Sequence, residues 1–282
     1  MIRNTRQLIK KHNIRLVKSL GQNFLIDEKV TKRIVDTAEL SNADTVIEIG
    51  PGIGNMTVEL AGRVRRVIAF EIDRRLIPAL QDNLGGALNV DIINKDIMDV
   101  DIGTIQSETR EGRLKVVANL PYYITTPIIM RFLEESNSID SMVFMVQKEV
   151  ASRMTAKPGG KDYGALTVAV QYYSLPEMVF DVAPHCFIPQ PGVDSTIIKL
   201  VKNEKPPVEV LDRKLFFKVV RSSFGQRRKT LVNALYNSGA FGRTKEEIKQ
   251  ILRYTGIHEN ARGETLSMKE FAEISNKFSV QG

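Results

Sequence analysis

Apolar positions fall into two rhythms along the chain. From Thr45 to Gln147 they come as short continuous runs bounded by glycine, asparagine or charged residues. "TVIEIG" (45–50), "RVIAFEI" (66–72), "VDIINKD" (90–96), "KVVANL" (115–120) and "SMVFMVQ" (141–147) have strand length and β-branched content. Between them, Asn55 to Val64, Arg74 to Leu84 and Pro127 to Glu135 carry the spacing of amphipathic helices. Continuous apolar strands alternating with such helices predict a parallel sheet covered on both faces. That is a doubly wound α/β fold, whose ligands bind at the carboxyl ends of the strands.

The rhythm changes after residue 150. "KPGGKDYG" (157–164) has loop composition, and "ALTVAVQYYS" (165–174) fits helix or strand equally. "EMVFDV" (177–182) and "STIIKLV" (195–201) are β-rich and predict an antiparallel pair extending the sheet. "NEKPPVEV" (203–210) reads as a linker. The segments 213–224, 227–238, 244–256 and 267–278 then all carry helical spacing. The expected organisation is a leading basic arm (1–44), an α/β domain (45–205) and a small helical domain (206–282).

Composition narrows the partners. The chain has 282 residues, 43% of them apolar, enough for a substantial core. A net charge of +7 favours an anionic partner, nucleic acid first, with plain solubility as the alternative. Arg3, Arg6, Lys10, Lys11, Arg15 and Lys18 all precede the first acidic residue, Asp27. That arm is either a solvated leader or a phosphate-binding element. The single cysteine, Cys186, rules out a disulfide within the chain, and His12, His185 and His258 lack ligand spacing, so no metal site is expected. No apolar run reaches membrane length and no secretory h-region is evident, which points to the cytoplasm.

Three strand ends carry candidate chemistry. "EIGPGIGNMT" places Glu48, Gly50, Gly52 and Gly54 after the first strand, where glycines permit a tight turn and close approach of a ligand. A ligand-free βα turn has the same pattern. Glu71 ends the second strand, where an acid can accept from both hydroxyls of a ribose. Asp96 follows the third, where a carboxylate can accept from an adenine amine. Together they point to a nucleoside ligand, with nicotinamide cofactors still admissible.

The fourth strand ends in "NLPYY" (119–123). A conjugated exocyclic amine is a poor nucleophile until its nitrogen pyramidalises. The Asn119 side-chain oxygen can accept one of its hydrogens and the Leu120 carbonyl, restricted by Pro121, the other. Tyr122 can stack on the base. The plain alternative is a strand-ending proline turn with core tyrosines.

Taken together, "KSLGQNFLID" (18–27), "IEIGPGIGNMT" (47–57), Glu71, "KDI" (95–97), "NLPYYI" (119–124), "CFIPQPGVDS" (186–195) and "RSSFGQRRKTL" (221–231) span nearly the whole chain. The chain resembles the ribosomal RNA adenine N6,N6-dimethyltransferases of the bacterial small-subunit type. The resemblance implies a Rossmann-like class I methyltransferase sheet with a small helical C-terminal domain, and S-adenosylmethionine as the cofactor. It implies that Gln22, Asn23 and Leu25 close over the cofactor, that Gly50 and Gly52 lie under its methionine part, and that Glu71 takes the ribose with Ile72 against the adenine. Asp96 and the Ile97 backbone would meet the adenine edge. Asn119, Leu120, Pro121 and Tyr122 would form the target-amine site, with Phe187 as a second aromatic plate. Tyr123 stands where asparagine is common in this motif.

The implied substrate is a pair of adjacent adenosines in the terminal-helix loop of 16S rRNA, each dimethylated by a monomeric enzyme. Arg221, Arg227, Arg228 and Lys229 would form a phosphate-binding face; Arg213 and Lys214 read as solvated. Two alternatives stand beside this reading: a large-subunit rRNA dimethylase of the macrolide-resistance type, and a non-enzymatic assembly factor.

Overall fold

The computed structural model describes residues 5–14, 21–109, 112–135 and 138–280. Of the basic arm, Arg3, Arg15 and Lys18 lie outside the described residues, as do Ser19 and Leu20 of the first motif. The chain divides into two compact units, 1–151 with 176–202, and 152–175 with 203–282.

In the first unit the helices are α1 (Thr5–Lys11), α2 (Glu28–Thr37), α3 (Asn55–Ala61), α4 (Ile77–Leu84), α5 (Ile102–Glu108) and α6 (Thr125–Glu135). Its strands are β1 (Phe24–Leu25), β2 (Thr45–Ile49), β3 (Arg66–Phe70), β4 (Val90–Ile93), β5 (Leu114–Asn119), β6 (Ile139–Gln147), β7 (Ser174–Val182), β8 (Phe187–Ile188) and β9 (Ser195–Lys202), with β7 starting at the division between units. Seven strands form one sheet in the order β4-β3-β2-β5-β6-β9-β7. β2 runs parallel to both β3 and β5, and β9 runs antiparallel to β6. The short strands β1 and β8 pair antiparallel, Leu25 opposite Phe187.

The central strands explain their sequences. Every residue of β2 is buried, so an unbroken apolar run is required there, whereas β4 at the sheet edge alternates. Lys115, in the middle of β5, is an exception. Its ammonium lies 3.5 Å from Asp44 and donates to the Ala38 and Glu39 carbonyls at 3.0 and 2.7 Å, so the buried charge is fully compensated. The strand order reverses at β2, between β3 and β5. In a doubly wound sheet that switch point opens a crevice at the carboxyl ends.

The second unit is helical: the end of α7 (Lys148–Thr155), α8 (Ala165–Tyr173), α9 (Arg213–Gly225), α10 (Leu231–Asn237), α11 (Lys245–Tyr254) and α12 (Met268–Val280). "ALTVAVQYY", undecided by periodicity, is helical. Thr167 accepts from the Gly164 N–H and closes its first turn. Val168 and Tyr172 join Phe216, Leu235, Ile251 and Phe271 in one core. The Tyr163 hydroxyl donates to the Leu266 carbonyl at 2.8 Å. Ser152–Leu175 shares that core and groups with the C-terminal helices, upstream of the expected boundary near residue 206. The described residues of the leading arm group with the first unit. Among the described residues no helix is long and apolar enough to cross a membrane.

Candidate active site

The loops after β2, β3 and β5 line one pocket, together with the segment Gly21–Leu25. The glycine turn shapes its floor. Gly50 and Gly52 have φ of +66° and +60°, a region cheap only for glycine. A side chain at Gly52 would also collide with the Phe24 ring, its Cβ 2.9 Å away, whereas at Gly50 it would meet only the Asn119 carbonyl at 4.0 Å. Gly50 therefore faces open pocket.

Glu71 is fixed by backbone. One carboxylate oxygen accepts from the Gly52 N–H at 3.0 Å, the other from the Asp73 N–H at 2.8 Å. Burial pushes its pKa up to about 6, against those two hydrogen bonds. Each oxygen keeps acceptor capacity for a ligand. Beside it Ile72 is half-exposed on the pocket wall, an apolar surface suited to a flat ring. Deeper, Glu48 is fully buried, and neither of its oxygens has a hydrogen-bond partner among the described residues. Burial pushes it up to about 8.

Asn119 is oriented by its surroundings. Its amide nitrogen donates to the Asn23 carbonyl at 3.0 Å, which leaves the amide oxygen as the acceptor available to the pocket. Leu120 is buried, and among the described residues no backbone N–H donates to its carbonyl. The Pro121 carbonyl is held by the Ile124 N–H and the Thr125 hydroxyl. The Tyr122 hydroxyl shares a 2.7 Å hydrogen bond with Ser195, and burial raises its pKa. That bond fixes the ring plane. Tyr123 is 58% exposed at the rim.

The N-terminal segment closes the wall. Gln22 donates to Asp73 at 2.8 Å, and the Leu25 carbonyl accepts from Asn55 at 2.7 Å. Gln22, Asn23, Leu25, Gly50, Gly52, Glu71, Ile72, Asn119, Leu120, Pro121 and Tyr122 are thus brought to one pocket. Asp96 and Ile97 are not on its lining. They follow β4 one strand over, Asp96 accepting from the Met98 N–H at 2.9 Å. Asn94 links the two loops by donating to the Glu71 carbonyl at 2.7 Å.

Phe187 is not on the pocket lining. Its side chain is 1% exposed and packs with Leu25, Val117, Val143 and Met145, away from the pocket lining. The pairing of β8 with β1 covers it with the very segment that closes the pocket. In this structure it is a buried residue, and the aromatic side chains on the pocket lining are Phe24, Tyr122 and Tyr123.

A family model for ribosomal RNA adenine dimethylase matches residues 13–278. The chain belongs to the ribosomal RNA adenine dimethylase family. A Geobacillus protein named ribosomal RNA small subunit methyltransferase A is 52% identical over 275 residues, covering 96% of this chain and 94% of the relative. A protein of the same name from Alkaliphilus metalliredigens is 49% identical over 278 residues, covering 98% and 96%. Among solved structures, a dimethyladenosine transferase from Plasmodium falciparum superposes with a TM-score of 0.73 at 26% identity, covering 88% of this chain and 94% of that one. The 23S rRNA methyltransferase ErmE gives 0.67 at 28%, covering 91% and 100%.

Several residues of this family member escaped the sequence reading. Asp73 holds Gln22 and pairs with Arg75 at 2.6 Å, which keeps its carboxyl down at about 2. Asn55 ties α3 to Leu25, and Asn83 donates to the Ile53 carbonyl at 2.9 Å. Arg131 on α6 donates to the Ile97 and Val100 carbonyls and so braces the turn after Asp96. Asp73 and Asn55 adjoin recognised motifs and could have been found there. Asn83 and Arg131 act about 30 residues away in sequence, and nothing local marks them.

On the helical unit, Arg221, Arg228 and Lys229 are exposed. Arg227 is committed within the unit, donating to Glu264 at 3.0 Å and to the Lys161 carbonyl.

Proposed function

We propose that this chain transfers methyl groups from S-adenosylmethionine to N6 of two adjacent adenosines in the loop of the 3′-terminal helix of 16S rRNA, dimethylating each. It acts as a monomer in the cytoplasm, on the small ribosomal subunit or its precursor. The observation that carries the reading is the Asn119 amide: donating through its nitrogen to Asn23, it keeps its oxygen free to accept in the pocket, in a family of adenine dimethylases. Relatives about 50% identical and named for the small subunit favour that subunit over the large one.

The residues present fit the cofactor. The open face at Gly50, the backbone-anchored Glu71 and the exposed Ile72 suit a methionine chain, a ribose and an adenine ring in succession. The unpartnered Glu48 carboxyl suits a nearby ammonium group. Gln22, Asn23 and Leu25 would hold the cofactor from the N-terminal segment, and Asp96 and the Ile97 N–H, on the neighbouring loop, would take its adenine edge. When bound, S-adenosylmethionine supplies an electrophilic sulfonium methyl.

The chain's own residues prepare the acceptor. The Asn119 oxygen would take one N–H of the target amine and the Leu120 carbonyl the other, so that the lone pair localises on nitrogen as a nucleophile. This is preorganised electrostatics, with no reorganisation left for the reaction itself. Tyr122, its ring fixed through Ser195, stacks on the target base. Each transfer would leave S-adenosylhomocysteine and release one proton of the amine to water, so that after the first one N–H remains and a single acceptor suffices for the second. Arg221, Arg228 and Lys229 hold phosphates, with Arg227 supporting the end of α9.

Primer extension on both rRNAs from a strain lacking this chain tests the reading. The expected result is loss of the stops at the paired adenosines of 16S rRNA. Loss confined to the large subunit would overturn it.

A further inference from the structure

The helical unit carries a second feature that the methylation chemistry does not use. α10, α11 and the turn between them enclose a hollow of about 350 Å³, lined by Leu235, Tyr236, Asn237, Phe241, Arg243 and Ile248 among others. That volume lies in the range of small-ligand sites, about 300–1,000 Å³. The turn stays open because Gly239 and Gly242 adopt positive φ, and a side chain built at either would meet nothing within 4 Å.

The rim combines cations with aromatic rings. The Lys245 ammonium lies 5.1 Å from the centre of the Tyr236 ring, and the Lys218 ammonium 5.3 Å from that of Phe241. Phe241 is itself stacked on Phe278 at 4.8 Å, which makes it a rigid backing. Tyr236 is 44% exposed. Lys218 and Lys245 are exposed and form no ion pair with a carboxylate among the described residues. Arg243 is held by Glu247 at 3.3 Å. At the other edge Asn237 donates to the Gln226 side-chain oxygen at 2.9 Å, both side chains exposed.

We infer that this hollow is a docking site for one unpaired nucleotide of RNA. The base stacks on Tyr236 in the place Lys245 now covers. The Asn237 and Gln226 amides meet its edge, and Lys218 and Lys245 take the flanking phosphates. Stacking on an exposed ring with lysines beside it is how single-stranded nucleic acid is held without strong sequence preference. The inference rests on the proposed function for its choice of RNA. An acidic peptide would match the charge, but it would leave the amide pair and the open ring without a role.

The test uses the full chain and a fluorescently labelled single-stranded 12-nucleotide RNA of mixed sequence, followed by anisotropy from 50 to 200 mM salt. Tyr236→Ala is expected to weaken binding by about tenfold, and Tyr236→Phe to restore it, because the ring is what stacks. Lys245→Ala should lower the slope of log K against log salt by about 0.7, one phosphate contact. Unchanged binding of S-adenosylmethionine and an unchanged melting curve identify folded variants. Lys245 is exposed, so its variant keeps the test alive if Tyr236→Ala unfolds. Wild-type RNA affinity in both variants would overturn the inference. Equal losses toward a poly-glutamate peptide would also overturn it, by showing that charge alone accounts for the site. Methylation of 16S rRNA by the wild-type protein is assayed in parallel. Its absence would sink the proposed function, whereas the 12-nucleotide binding data judge the hollow independently.

Discussion

The pocket at the sheet's carboxyl edge and the basic surface of the helical unit are built on opposite plans. In the pocket four polar side chains are fixed by other groups: Glu71 by two backbone N–H groups, Asn119 by Asn23, Tyr122 by Ser195, Gln22 by Asp73. In the helical unit Arg221, Lys218 and Lys245 on helices, and Arg228 and Lys229 in the turn after α9, stand exposed on long side chains. Fixed dipoles lower a barrier because they need not move during the reaction. Exposed lysines and arginines suit a polyanion, whose phosphates they meet by releasing counterions. A rigid site reads one atom, and a compliant surface reads an extended charge.

The contrast breaks most sharply at Asn119. Asn119→Ala is expected to cut single-turnover methyl transfer by about 10²- to 10³-fold, the loss typical of one preorganised partner. The affinity for S-adenosylmethionine, measured by calorimetry, should fall much less. Near-normal turnover would refute the acceptor role. Glu71→Ala should do the reverse at the binding step, weakening cofactor affinity by roughly 10- to 100-fold, as loss of charge-assisted hydrogen bonds does.

Much of this contrast was legible in the sequence, and its failures have physical causes. Continuous apolar runs gave the parallel strands, because strands buried on both faces leave no room for alternation. Glycines, Glu71 and "NLPY" marked the pocket lining, because they sit within a few residues of strand ends that meet at the switch point, whereas Asp96 lies off it. Partners distant in sequence, such as Asn83 with Ile53 or Arg131 with Val100, left no local trace. Neither did the packing of 152–175 with the C-terminal helices, which depends on where α8 buries Tyr172. The burial of Phe187 left no trace in its motif, because a motif gives identity but not burial. Its pairing partner, Leu25, lies far upstream.

A third prediction sharpens the cost of the fixed site. Burial holds the Glu48 carboxyl at about 8 in the folded chain against an ordinary 4.5. The folded state therefore keeps a proton that the unfolded state releases, and unfolding is favoured as pH rises between those values. Glu71 adds the same sign from 4.5 to about 6. The melting temperature of the ligand-free protein should fall from pH 5 to pH 8, and Glu48→Gln should flatten that decline. A melting temperature that rises over the window would contradict the assignment.

The smallest effect belongs to the compliant surface. Arg228→Ala or Lys229→Ala should weaken RNA binding only a few-fold and reduce the salt slope by about 0.7 each. Cofactor affinity should not change, as calorimetry would verify. Loss of cofactor binding in either variant would mean that the two plans are not separable.

The central claim is that the pocket methylates adenine N6 in small-subunit rRNA. It is tested most directly by incubating the purified chain with unmethylated small and large ribosomal subunits and S-adenosylmethionine labelled in its methyl group. The label should appear as N6,N6-dimethyladenosine at two adjacent positions near the 3′ end of 16S rRNA, about four methyl groups per subunit. Label confined to the large subunit, or no transfer to either, would contradict the account.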